Sequence, residues 1–194
     1  KVREAVEYAI DREAIAKRTE SLRNKLQSER SRLQGLEELK DSLEWYGAGV
    51  KAILKHAHDA HWVGVRGVVA DAISVPPRYE AALEAALGER LQYVVVADAA
   101  QAADGVAHLK TEKAGRGSFV PVDLREPKAA SLPAVRESWA HGPLLDLVEI
   151  RQGNERMARA LLGGFFVVET LDQALELWRA NGTSATFVTL EGDT

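Results

Sequence analysis

Tyr79-Glu80-Ala81-Ala82-Leu83-Glu84-Ala85-Ala86-Leu87-Gly88-Glu89-Arg90-Leu91-Gln92-Tyr93-Val94-Val95-Val96 holds a helix, a stop and a strand in one short stretch. Ala82, Leu83, Ala86 and Leu87 recur at helical spacing, which predicts a helix over 78–87 with one apolar face. Gly88 stands where a residue of positive φ ends a helix. The run 91–96 is rich in β-branched residues and has the length of a strand buried on both faces.

The pattern extends in both directions. Upstream, 63–69 reads as a strand interrupted by Gly64 and Gly67, and Pro76-Pro77 stops and restarts the chain. Downstream, Asp98 is a candidate N-cap for a helix running to about Lys113. Gly115-Arg116-Gly117 is a turn, and 118–124 is a second strand. Residues 125–143 hold three of the six prolines without a clear period and read as a connector. The order then recurs: a strand over 144–150, a helix over 154–162 ending at Gly163, a strand over 165–168, a helix over 172–180 and a strand over 185–190. Residue matches support a degenerate repeat. Tyr93-Val94-Val95-Val96 aligns with Phe165-Phe166-Val167-Val168, and Gln101-Ala102 with Gln173-Ala174. Ser118-Phe119-Val120 aligns with Thr186-Phe187-Val188. The expected fold is therefore α/β (α+β), with two similar subdomains, each a small mixed sheet with flanking helices.

Residues 1–45 differ in kind. They contain no proline and one glycine, Gly35. Ile15, Leu22, Leu36 and Leu43 fall on one heptad position and Leu26 and Leu33 on the other, with Ala5 and Tyr8 extending the seam. Arg12, Thr19, Glu29 and Lys40 interrupt it. So narrow a stripe in so charged a sequence marks a helix that packs against one other helix. At the α-helical rise it would be about 68 Å long, too long for a surface helix of the domain that follows. The expected division is a coiled-coil arm over 1–45, a first subdomain over 46–124, the connector over 125–143 and a second subdomain over 144–194.

Composition narrows the function classes. The chain has no cysteine, so disulfides and thiolate chemistry are excluded. Net charge is −4, with 10 basic and 10 acidic side chains in 1–45 and 15 and 19 in 46–194, so any nucleic-acid contact has to come from a local patch. No apolar run approaches the roughly 20 residues of a membrane span. The chain opens in mid-pattern without methionine and reads as a piece of a longer protein. No GxxxxGK[ST], GxGxxG after a strand, or GxSxG is present. His56, His58 and His61 with Asp59 are the residue types that bind zinc, but on a helix only His58 and His61 share a face, and no metal site is expected. Trp45, Trp62, Trp139 and Trp178 read as packing and junction residues rather than base-stacking platforms.

The quoted stretch, with Gly64-Val65-Arg66-Gly67, Val75-Pro76, Gly115-Arg116-Gly117-Ser118-Phe119-Val120-Pro121-Val122-Asp123 and Thr189-Leu190-Glu191-Gly192-Asp193, resembles the hinge domain of structural maintenance of chromosomes (SMC) proteins of bacterial type. The resemblance covers 47–194, and the N-terminal helix fits the adjoining arm. It implies a non-catalytic dimerisation hinge of a chromosome condensation and segregation ATPase. It also implies a homodimer with a second hinge, contributing to DNA binding or entrapment, in a cytoplasmic, nucleoid-associated protein. ATP and magnesium would belong to head domains outside this chain, as would any kleisin-type partner. The family pattern continues past Asp193 into further glycines and a returning helix, which would be the arm's partner.

In the family, strands at the sheet edges meet the partner hinge. This makes Gly115, Arg116, Gly117, Ser118, Phe119, Val120, Phe187, Val188, Leu190 and Gly192 candidates for the dimer interface. The DNA-binding candidates are Lys51, Lys55 and Arg66, with the nearby histidines, and a second group of Lys110, Lys113 and Arg116. The alternative function is a coiled-coil scaffold or adaptor that binds only protein. A nucleotide-binding enzyme is opposed by the missing phosphate loop.

Overall fold

The computed structural model describes residues 15, 17–33, 46–125, 130–135, 137–181 and 184–194. They belong to two units, 1–45 and 46–194. In the first, residues 17–33 are helical, and the heptad residues Ile15, Leu22, Leu26 and Leu33 are all exposed. Ala5, Tyr8, Leu36 and Leu43, the other expected seam positions, lie outside the described residues, as does Trp45.

The second unit begins with α1 (Ala48–Asp59), followed by β1 (Val65–Val68), a single turn α2 (Val69–Ala72) and β2 (Ile73–Ser74). A 3-10 turn (Pro77–Tyr79) leads into α3 (Glu80–Leu87), and another (Gly88–Gln92) leads to β3 (Val94–Val96). Then come α4 (Ala99–Thr111) and β4 (Phe119–Pro121). The second half is β5 (Ala140–Pro143), a 3-10 turn (Leu144–Leu147), β6 (Glu149–Ile150), α5 (Glu155–Leu162), β7 (Phe165–Val168), α6 (Leu171–Asn181) and β8 (Thr186–Thr189).

The halves are built alike. Each has a three-stranded sheet, β1-β3-β4 and β5-β7-β8, in which the first strand is antiparallel to the middle one and the last is parallel to it. Each first strand carries a register slip, between Val65 and Gly67 and between Ala140 and Gly142. Arg66 and His141 are the residues in excess, as in a β-bulge. The glycine after each has positive φ, +117° at Gly67 and +104° at Gly142, where a side chain would be strained. Asp98 accepts from Gln101 N at 2.9 Å and Thr170 Oγ1 from Gln173 N at 3.5 Å, so the equivalent helices α4 and α6 start on equivalent caps.

Residues 91 and 92, expected in the strand over 91–96, close a 3-10 turn, and residue 69 opens a helical turn rather than ending a strand; two further segments depart from the expected elements. Residues 140–143, placed in the connector, form β5. Residues 144–150 are a 3-10 turn followed by β6 rather than one strand. Ala-His-Gly-Pro has weak strand propensity, and it pairs because β7 lies beside it. β6 and β2 pair antiparallel, Ile73 with Ile150 and Ser74 with Glu149, and link the two halves.

The middle strands explain their own composition. Val95 and Val167 face a central core shared by both halves, with Val120, Val188, Leu87, Met157 and Leu162. Val94 and Val96 face the other way, onto Val50 and Ile53 of α1 and Leu109 of α4. Phe166 and Val168 likewise face Ala174 and Leu177 of α6. A strand buried on both faces has no polar side, so alternation disappears from its sequence. Each such valine contributes about 1.5–3 kcal/mol of burial.

Candidate dimerisation edges and charged surfaces

β4 and β8 are the outer strands at equivalent ends of the two sheets. Val94 N donates to Ser118 O at 2.8 Å and Val122 N to Val96 O at 2.9 Å. Thr186 N donates to Gly164 O at 2.8 Å and Leu190 N to Val168 O at 3.2 Å. In a parallel ladder backbone groups alternate between neighbours. Ser118, Val120 and Val122 therefore serve β3, while Phe119 and Pro121 present their backbone outward. On β8, Phe187 and Thr189 do so. Pro121 has no N–H, and Thr189 N is taken by Asp193 O at 3.0 Å. Each edge thus offers one outward N–H, at Phe119 and at the matching Phe187.

The side chains of these strands point elsewhere. Val120 and Val188 are buried in the central core. Phe119 packs against α4 at Gly105, where an added Cβ would lie 2.5 Å from its ring. Phe187 meets Phe166 edge-on, with ring centroids 6.1 Å apart. Leu190 is half-buried against the central core. What the edges can offer a partner is backbone.

The glycines also serve contacts within the chain. Gly115 has φ +99°, and a Cβ there would lie 3.3 Å from Gly49 N. A side chain on Gly49 would in turn strike the Arg116 carbonyl. Gly117 packs on Leu109. Gly192, with φ +93°, lies over the Ala81 carbonyl of α3. The turn holding Gly192 is closed by Thr189 Oγ1, which accepts from Asp193 N at 2.9 Å. The Arg116 and Ser118 side chains are exposed.

The structure regroups the basic candidates. Lys51 and Lys55 lie one turn apart on α1, and Lys110 lies on α4 with Lys113 just beyond it. These two helices pack together: the His56 and His108 rings stack at 3.9 Å, and Trp62 meets His56 edge-on at 5.8 Å. Arg116 abuts the start of α1 through its carbonyl. The two groups expected separately therefore lie on or just beyond two packed helices of the first half, with Asp59 and Asp104 on those helices and Glu112 just past α4. Arg66 is not among them. It reaches the turn at Gly153, where it lines a cleft with Arg151. His58 and His61 are exposed. Among the described residues no three His, Cys, Asp or Glu side chains are grouped to hold a metal ion. No described helix is long and apolar enough to cross a membrane.

Three features escaped the sequence. Trp62 donates to Gln101 Oε1, a contact made possible by Gly64 alongside. Trp178, expected as a packing residue, is 64% exposed and forms a stripe on α6 with Leu171 and Leu175. Arg151 and Asn154 face Arg66 across the junction of the halves, and only the folded repeat reveals that pairing.

Residues 63–178 match the family model described as SMC proteins Flexible Hinge Domain. The chain is 37% identical over 175 residues to the chromosome partition protein Smc of Myxococcus xanthus, covering 89% of this chain and 15% of that protein. It is 33% identical over 172 residues to the chromosome partition protein Smc of Bacillus subtilis, covering 87% of this chain and 14% of that one. The crystal structure of an asymmetric dimer of the Geobacillus stearothermophilus SMC hinge domain superposes with a TM-score of 0.76 at 33% identity, over 86% of this chain and 67% of that one. The Pyrococcus furiosus SMC protein hinge domain gives 0.57 at 28% identity, over 74% and 79%. The chain therefore spans about one seventh of the length of the curated relatives it matches.

Proposed function

This chain belongs to the SMC hinge family, and we propose that it is the dimerisation hinge of a chromosome-partitioning ATPase, joining two coiled-coil arms. The observation that carries this reading is the pair of equivalent edges, β4 and β8, each with one outward N–H and with its phenylalanine and valine side chains packed on the chain's own cores. Two copies related by a two-fold axis place β4 of one against β8 of the other twice, closing the assembly and leaving neither edge free. The Geobacillus relative is a dimer by its description, which supports the same stoichiometry here.

In this reading the hinge is non-catalytic. ATP and magnesium act at head domains elsewhere in the parent protein, which also engage kleisin-type subunits. The exposed seam of Ile15, Leu22, Leu26 and Leu33 pairs with a returning helix of the parent chain. The parent works in the cytoplasm at the nucleoid. DNA contact is assigned to Lys51, Lys55, Lys110, Lys113 and Arg116 around α1 and α4.

Amide hydrogen exchange at increasing protein concentration tests the dimer. Phe119 and Phe187 N–H should gain protection together as concentration rises, while Ser118 and Val188 change little. Concentration-independent exchange at both phenylalanines would reject pairing through these edges. For DNA, retention of a duplex should fall steeply between low and physiological salt and weaken in Lys51→Gln/Lys55→Gln. Salt-insensitive or absent retention would leave a protein-only scaffold.

A further inference from the structure

Helices α4 and α6 start on the equivalent caps Asp98 and Thr170, so their positions correspond one to one. In that frame Ala99, Ala103 and Val106 of α4 correspond to Leu171, Leu175 and Trp178 of α6. All six are exposed, and their spacing puts each set along one side of its helix. One helix thus carries a line of small side chains where its counterpart carries a line of large apolar ones.

Both lines run beside the open sheet edges. α1 lies over β1, and α4 lies over β3 and β4. His108, which stacks on His56 of α1, stands at least about 140° around α4 from Ala99, Ala103 and Val106. The small line therefore looks away from α1, toward the outer side of β4. On α6 the large line borders an open groove with Thr186 and Phe187 of β8. Large apolar side chains exposed in a line mark a face that meets a partner.

We propose that this stripe docks on a second copy of the chain, with Leu171, Leu175 and Trp178 of one copy packing against Ala99, Ala103 and Val106 of the other. The proposal rests on the pairing of β4 with β8 and extends it to side chains. Phe119 and Phe187 can exchange both outward hydrogen bonds only as an antiparallel pair. Equivalent strands paired in that way are related by a local two-fold axis perpendicular to the sheet, which keeps equivalent faces on one side. α4 of one copy and α6 of the other then lie side by side across the junction, and large residues meet small ones. Two lines of large residues would collide, and two lines of small ones would leave a gap. The edges need this contact. A stable interface buries about 1,200–2,000 Å² in all, whereas β4 and β8 are three and four residues long, with phenylalanines and valines turned inward.

Hydroxyl-radical footprinting of the 194-residue chain, read by mass spectrometry across the concentrations at which the dimer forms, tests the docking. Oxidation of Trp178 and Val106 should fall together as the dimer forms. Sedimentation of variants supplies the affinities. Trp178→Ala and Ala103→Glu should each weaken the dimer by about tenfold or more, and Glu176→Gln, on another side of α6, should leave it unchanged. The three variant sites are exposed, and unchanged melting temperatures would show that the fold is kept. A dimer that protects the Phe119 and Phe187 N–H groups, yet leaves Trp178 as reactive as in the monomer, would overturn the docking alone; the edge pairing would stand and the stripe would fall to a different protein. Dimer affinity unchanged in both Trp178→Ala and Ala103→Glu would overturn it too. A strict monomer would remove the edge pairing and the docking together.

Discussion

Gly105 sits in α4 where an added Cβ would lie 2.5 Å from Phe119 Cε1. Gly105→Ala must push the β4 ring aside, and overpacking of this kind costs about 1–3 kcal/mol. A urea midpoint unchanged from the parent chain would show that Phe119 has room to move. His141 gives a second prediction at this scale. Burial and the neighbouring Arg78 lower its pKa below the ordinary 6.5 of imidazole, with Glu169 opposing them. A histidine with a depressed folded pKa is held neutral, so the unfolded chain binds more protons just below pH 6.5. Its contribution is fully present above that pH and is lost as pH falls through the folded pKa. Glu155, also lowered, through backbone hydrogen bonds, acts in a separate window below 4.5. His141→Gln should flatten the loss of stability between about pH 7 and 5, read from urea midpoints; identical slopes would exclude His141 as a cause. The chemistry of these residues was legible in sequence only where it is local. Asp98 announced its cap. His141, Arg66 and Asn154 did not announce their roles, because bulging and cross-half contacts exist only once strands pair.

At the level of the element, the β4 and β8 edges differ from ordinary edges in how little they leave open. Proline at 121 and the Thr189–Asp193 turn each remove one outward donor, and the matching Phe119 and Phe187 retain theirs. Replacing the phenylalanine at 119 or 187 by its α-hydroxy acid turns that N–H into an ester oxygen and keeps the side chain. One such hydrogen bond is worth about 0.5–1.5 kcal/mol, and a two-fold dimer loses it twice, so each ester should weaken the dimer by roughly fivefold to a hundredfold. The same replacement at Val120 removes a ladder bond inside the sheet and should lower monomer stability instead. Dimer affinity unchanged from the parent chain in both the 119 and 187 esters would contradict pairing there. The sequence marked both strands and their equivalence, since Ser-Phe-Val and Thr-Phe-Val align. It missed β5, where Ala140-His141-Gly142-Pro143 lacks apolar alternation and the strand exists through its pairing to β7. It also joined the 3-10 turn and β6 into one strand, because Leu144-Leu145-Asp146-Leu147 is apolar without a period that separates the two.

Across residues 46–194 the two halves share a core. Val95 and Leu87 from one meet Val167, Met157 and Leu162 from the other. Neither half has the central core without the other, so both sheets should unfold together. Leu162→Ala, at a fully buried site, should cost about 2–5 kcal/mol and reduce exchange protection in β3 and β7 alike. Loss confined to β7 would mean separable subdomains. The degenerate repeat was readable from sequence, but the shared core was not, because apolar residues on a strand buried on both faces do not say which face meets which neighbour. The dimer built from the edges is the claim on which the functional reading rests. Sedimentation equilibrium of the 194-residue chain from low to high micromolar concentration measures it directly. A species of twice the chain mass, shifted toward monomer by the ester at Phe119 or Phe187, is the predicted result; a strict monomer throughout, or a dimer indifferent to both esters, would contradict it.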